Sequence, residues 1–167
     1  MRYLLMTTLL SCGSYEPVSQ NFDPDLISIV REYEADIVEC DVKVVNSNLM
    51  KITYVDEFSF LDGEHATDNG TVGIAVNYEA SRRIGNASIE TYHWGEIQVL
   101  SFVKPYCRSA KKALVYHELG HYSLNKEHVP EAGHIMSAAL QMTDCEEWDR
   151  IWNHELNIMF GKECKNE

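Results

Sequence analysis

The sequence predicts an α+β fold in a single domain. Apolar residues recur at helical spacing in three separate segments, and β-branched runs are gathered between the first and second of them. Strands grouped in this way, rather than alternating with helices, argue for a segregated sheet. A chain of 167 residues fits one domain.

The elements follow in order. Leu26, Ile29, Val30, Tyr33 and Ile37 give Asp25–Glu39 a helical face, and Asp23-Pro24 supplies a start. Strand-like runs occupy Val42–Val45 and Lys51–Val55. Asp62–Gly70, with Asp62-Gly63 and Asn69-Gly70, reads as a loop. Further strands are expected at Thr71–Asn77, Ser88–Tyr92 and Ile97–Val103. Ser109 is placed to cap a helix from Ala110 to about Leu124. Thr143-Asp144-Cys145-Glu146 has capping-box spacing before a last helix, whose stripe of Trp148, Ile151, Trp152, Leu156, Met159 and Phe160 ends at Gly161.

Charge and cysteines bound the setting. A formal net charge of −12 repels phosphate backbones, so nucleic acid is not an expected partner. The basic residues Lys104, Arg108, Lys111 and Lys112 read as a solvated helix start. At the N-terminus, Met1-Arg2, an apolar stretch from Tyr3 to Leu10 and Leu9-Leu10-Ser11-Cys12 read as a lipoprotein signal. Residues 1–11 are then removed, Cys12 carries lipid, and residues 12–167 form an exported, monomeric domain held to a bacterial membrane by that anchor alone. An ordinary buried N-terminal strand is the other reading. Cys40, Cys107, Cys145 and Cys164 remain for two disulfides in an oxidising compartment, with all three pairings open.

Residues 117–121 read His-Glu-Leu-Gly-His. On a helix, His117 and His121 lie one turn apart on one face, where two imidazoles can share an ion at the ~2.0–2.1 Å of zinc–nitrogen bonds. Glu118 is rotated about 100° from His117, beside the metal rather than on it, and suits the role of general base for a metal-activated water. A third ligand requires the helix to stop and the chain to turn. Asn125 provides the stop, being the best substitute for glycine in left-handed backbone. His128 then returns to the metal. Glu127 is the rival, and His128 is favoured because neutral imidazole suits zinc.

This segment resembles the metzincin clan of zinc endopeptidases. The clan pattern is H-E-x-x-H-x-x-G-x-x-H, followed by a methionine turn beneath the metal. Gly133-His134-Ile135-Met136-Ser137 looks like that turn, with Met136 as its methionine. Two departures stand out. The third histidine comes one residue late, and Asn125 replaces the glycine. The extra residue resembles a variant spacing, H-E-x-x-H-x-x-x-G-x-x-H, of small bacterial and predicted lipoprotein metallopeptidases, in which Asn125 stands at the glycine. The likeness covers about residues 109–137.

The resemblance implies a twisted, mostly parallel or mixed sheet of about four to five strands, a long active-site helix and a C-terminal helix. It implies one catalytic Zn2+ and a peptide or protein substrate. It also sets Tyr92-His93-Trp94-Gly95 just before the strand that borders the cleft, where an exposed edge would pair with an extended peptide, or packed aromatics would simply close an edge strand. Some members place a tyrosine two residues after the turn methionine, whereas Ala138 stands here. His65, His93, His134 and His154 lack partner spacing and read as surface or supporting residues. Other readings stay open: a non-catalytic zinc-binding surface lipoprotein, a hydrolase of non-peptide amides, and a gluzincin whose third ligand is Glu146, Glu147 or Glu155.

Overall fold

The computed structural model describes residues 21–59, 71–84, 88–140, 142 and 145–161. The expected lipoprotein signal with Cys12, the expected loop at Asp62–Gly70 with His65, Cys164 and the expected Thr143 cap lie outside them. Along the chain come β1 (Asn21–Phe22), α1 (Pro24–Glu39), β2 (Leu49–Val55), β3 (Gly73–Ile84), β4 (Ser88–Leu100), a 3-10 turn (Ser101–Val103), α2 (Arg108–Leu124) and α3 (Cys145–Phe160). The order is β1-β2-β4-β3, with β2 parallel to β1 and β4, and β3 antiparallel to β4. The class is α+β and the sheet is mixed. Three long strands make up most of it, beside the two-residue β1.

Three expectations about elements are corrected. Ser88–Tyr92 and Ile97–Val103 belong to one strand, β4, which the 3-10 turn ends at Leu100. Val42–Val45 is not a strand, although its β-branched residues suit one. Asp41 turns the chain at φ 49°, and the amides of Val45 and Asn46 donate to the Ser123 carbonyl at the end of α2. That stretch serves as a helix stop rather than a sheet edge. The Tyr92–Gly95 stretch is not the cleft edge either: it pairs with β3 along one side, and Asn48 bonds the His93 carbonyl and the Gly95 amide on the other. The sheet edge beside α2 is β3.

The helices share a core with one sheet face. Leu26, Ile29 and Tyr33 of α1, Ile52, Ile97 and Val99 of the sheet, Leu114, Tyr116 and Leu119 of α2, and Trp148, Leu156 and Met159 of α3 are all buried in it. Burying side chains of this size contributes roughly 1.5–3 kcal/mol each, which offsets the ordering of the chain. The opposite face carries a smaller cluster on Val76 and Tyr78, beside the buried pair Glu96 and Gln98. Lys51 Nζ bonds Glu96 at 2.5 Å, and Gln98 bonds Glu96 and the backbone of Ser59, so the buried pair is satisfied.

The basic cluster fastens α2 to its neighbours. Lys111 reaches Asp25 at 2.6 Å, Arg108 and Lys112 pair with Glu32, and Lys112 lies 4.1 Å from the centre of the Trp152 ring. The expected Ser109 cap is absent. Cys107 holds the capping position, its sulfur in the Cys107–Cys145 disulfide, and Ser109 donates to Asp149 of α3 instead. Cys40 is disulfide-bonded as well. Among the described residues no helix is long and apolar enough to cross a membrane.

Candidate metal centre

Helix α2 delivers His117 and His121 on one face and stops where the sequence requires. Asn125 adopts φ 52° and ψ 40°, and its amide and that of Lys126 both turn back to the Gly120 carbonyl. The chain then reverses, and His128 reaches the two helical imidazoles. The three Nε2 atoms form a triangle with sides of 3.1, 3.0 and 3.2 Å.

The outer ring nitrogens decide what this triangle can hold. Nδ1 of His117 is 2.6 Å from the Ile135 carbonyl oxygen, and Nδ1 of His121 is 2.7 Å from that of Lys126. A carbonyl only accepts, so each Nδ1 carries the hydrogen and each Nε2 presents a lone pair. Lone pairs this close repel unless a cation lies among them. Tetrahedral ligation at ~2.0–2.1 Å sets three nitrogens roughly 3.3–3.4 Å apart, close to the spacing seen. The residues fit a divalent ion, and backbone carbonyls behind two of the rings fix their orientation as such sites require.

Burial grades across the group. His117 is buried, His121 half-buried and His128 exposed, so the triangle opens to solvent at His128. Burial holds the His117 imidazole down at about 4 and lowers His121, and the neighbouring rings add to both shifts. Both are thus kept neutral, as ligands must be. Glu127 is exposed and stands outside the group, so the third position falls to His128. Glu155 bonds His134 and the Ile135 amide, Glu147 pairs with Arg150, and Glu146 is exposed. None of these gluzincin candidates joins the group.

Glu118 is buried against β3, where its carboxylate accepts the Ala75 amide. Burial pushes this carboxyl up to about 8, and the Ala75 bond opposes the rise. Gly73 makes the approach feasible: a Cβ there would lie 2.5 Å from Glu118 Oε1. A second close approach lies under the helix. A Cβ at Gly120 would meet Met136 Sδ at 2.5 Å, which places Met136 beneath the turn of α2 that carries the histidines. Gly133 at φ 88° lets the chain enter that methionine turn. The turn also binds the loop of the third histidine, since the Val129 amide donates to the Met136 carbonyl at 2.9 Å.

Of the residues singled out from the sequence, the structure brings the three histidines together, ends α2 at Asn125 and sets Met136 under Gly120 and Glu118 against β3. Sequence reasoning missed Gly73, Gly120 and Ile135, whose roles depend on what the fold brings against them. The Gly120 contact had one available signal, a glycine inside a helix, which costs stability unless something packs there. No protein family matches the chain, and neither a curated protein nor a solved structure matches it.

Proposed function

We propose that this protein is a zinc-dependent endopeptidase of metzincin-like architecture, with His117, His121 and His128 holding one Zn2+ and Glu118 as general base. The convergence of three imidazole Nε2 atoms within 3.2 Å of one another carries the reading. A zinc ion held there supplies Lewis acidity, which raises the acidity of water and polarises a carbonyl. Glu118 takes up a proton at its carboxylate and returns it to the leaving amine. Its buried position beside β3 keeps bulk water from competing for that proton. The edge of β3, outermost among the described strands, suits an extended peptide bound by strand addition.

Among the described residues no fourth histidine, cysteine or acidic side chain completes the group. An open position favours catalysis over a closed structural site. The oxidised state of Cys40, Cys107 and Cys145 supports export, and we place the protein on the outer side of a bacterial membrane, held through lipidated Cys12.

The test is metal content by mass spectrometry together with turnover of a mixed peptide library, with and without a chelator. One zinc per chain and chelator-sensitive cleavage are expected. Zinc without cleavage of any peptide would leave a non-catalytic zinc protein, and absence of stoichiometric metal would remove the proposal altogether.

A further inference from the structure

On α3, Glu155 follows Trp148 by seven residues and so falls in the register of the apolar stripe, yet it carries a carboxylate. It is 4 % exposed. A buried carboxylate costs several kcal/mol unless paired, so its partners are informative. They all belong to the methionine turn. His134 Nδ1 lies 2.9 and 3.1 Å from the two carboxylate oxygens, and the Ile135 amide donates to one of them at 3.2 Å. The same Ile135 presents its carbonyl oxygen to His117 Nδ1 at 2.6 Å. One residue, Ile135, thus links Glu155 to the hydrogen bond that orients the ring.

We infer that Glu155 is a positioning residue for the metal centre: it grips the methionine turn so that the Ile135 carbonyl selects the tautomer and orientation of His117. The inference rests on the metal-centre reading for its consequence, but the His117 tautomer can be read without any metal. Beyond the packing of Ile135 and Met136 in the core, the turn has few other hydrogen bonds. Ser137 donates to the His134 carbonyl within it, and the Val129 amide bonds Met136. Neither touches Ile135. Glu155 alone holds the Ile135 amide among the described contacts, and a shift of Ile135 would withdraw its carbonyl from His117.

Three variants separate geometry from charge. Glu155→Gln keeps an acceptor oxygen at the same reach without the charge, Glu155→Asp keeps the charge but retracts it, and Glu155→Leu removes both. The readouts are the nitrogen NMR shifts of the His117 ring in metal-free protein and titration with cobalt(II), followed by its visible spectrum. The wild type should show His117 protonated at Nδ1. The Asp and Leu variants should show mixed tautomers, an altered cobalt spectrum and metal affinity weaker by roughly 10–100-fold, the range for lost support behind a ligand. The Gln variant should keep the tautomer and bind within about threefold of wild type, since the acceptor remains. Should Glu155→Leu not fold, the contrast between Asp and Gln still decides.

Equal losses in Gln and Asp, or variants that lower only the thermal midpoint while tautomer and spectrum stay unchanged, would overturn the inference. If the wild type binds no cobalt but its tautomer still responds as described, the positioning role stands and the metal-centre reading falls.

Discussion

Gly73 and Glu118 are fitted to each other: a side chain on the strand residue would begin 2.5 Å from Oε1 and 3.0 Å from Cδ of the glutamate. The pair joins β3 to α2 across 45 positions of sequence. It lets a carboxylate lie flat on the strand, where the Ala75 amide fixes it. Gly73→Ala is therefore expected to displace the Glu118 carboxylate while leaving the three imidazoles in place. Peptidase kcat should fall by roughly 10²-fold or more, the scale of a lost general base, with zinc content unchanged. Full activity in Gly73→Ala would show that the contact has no bearing on Glu118.

Glu118→Gln keeps the shape and the acceptor for Ala75 but removes the proton-accepting group. Zinc stoichiometry should match wild type, since Glu118 is outside the ligand group. Activity should drop by roughly 10²–10⁴-fold. Comparable loss of zinc in this variant would instead make Glu118 part of the metal's support.

What could be read in advance follows from how far apart the cooperating residues lie. His117 and His121 are one helical turn apart, and the stop at Asn125 is a local backbone property, so the three-histidine cluster was legible from spacing. The helices were legible for the same reason. Strand limits were less so, because β-branched residues state a preference without naming a partner. Val42–Val45 has the composition of a strand, yet its Val42 amide donates to Ile37 at the end of α1 and its Val45 amide to Ser123 at the end of α2. Glu155 has the spacing of a core residue and the chemistry of a surface one. Only the arrival of the methionine turn against α3 explains it. The missed residues share this dependence on long-range contact.

The third ligand can be settled by substitution. His128→Ala removes one corner of the nitrogen triangle and should weaken zinc binding severely, with zinc lost on dialysis. Glu127→Ala alters an exposed side chain outside the group and should keep stoichiometric zinc. The reverse pattern would transfer the role to Glu127 and require the loop after Asn125 to rearrange on binding.

The pH dependence of the metal-free protein brings two opposing groups into view. His117 is held at about 4, against 6.5 for an ordinary histidine, chiefly by burial. Its folded value is depressed, so the unfolded chain binds the extra proton between those limits. Stability from His117 is full above pH 6.5 and is lost as pH falls towards 4, by up to about 3 kcal/mol. Glu118 acts with the opposite sign. Burial raises it from 4.5 to about 8, so its neutral form favours the folded state, and that contribution is full below 4.5 and lost as pH rises through 8. Between 4.5 and 6.5 the two work against each other. From 6.5 to 8 only Glu118 changes, and the metal-free wild type should lose about 2 kcal/mol there. Urea midpoints measured across this range test the assignment. Glu118→Gln should be flat from pH 6.5 to 8 and lose stability only on acidification. Zinc should reverse the alkaline loss, because a dication beside Glu118 favours its ionised form. A wild type that keeps its midpoint from pH 6.5 to 8 without metal would mean that the Glu118 carboxyl is ionised throughout, stabilised by something other than the ion.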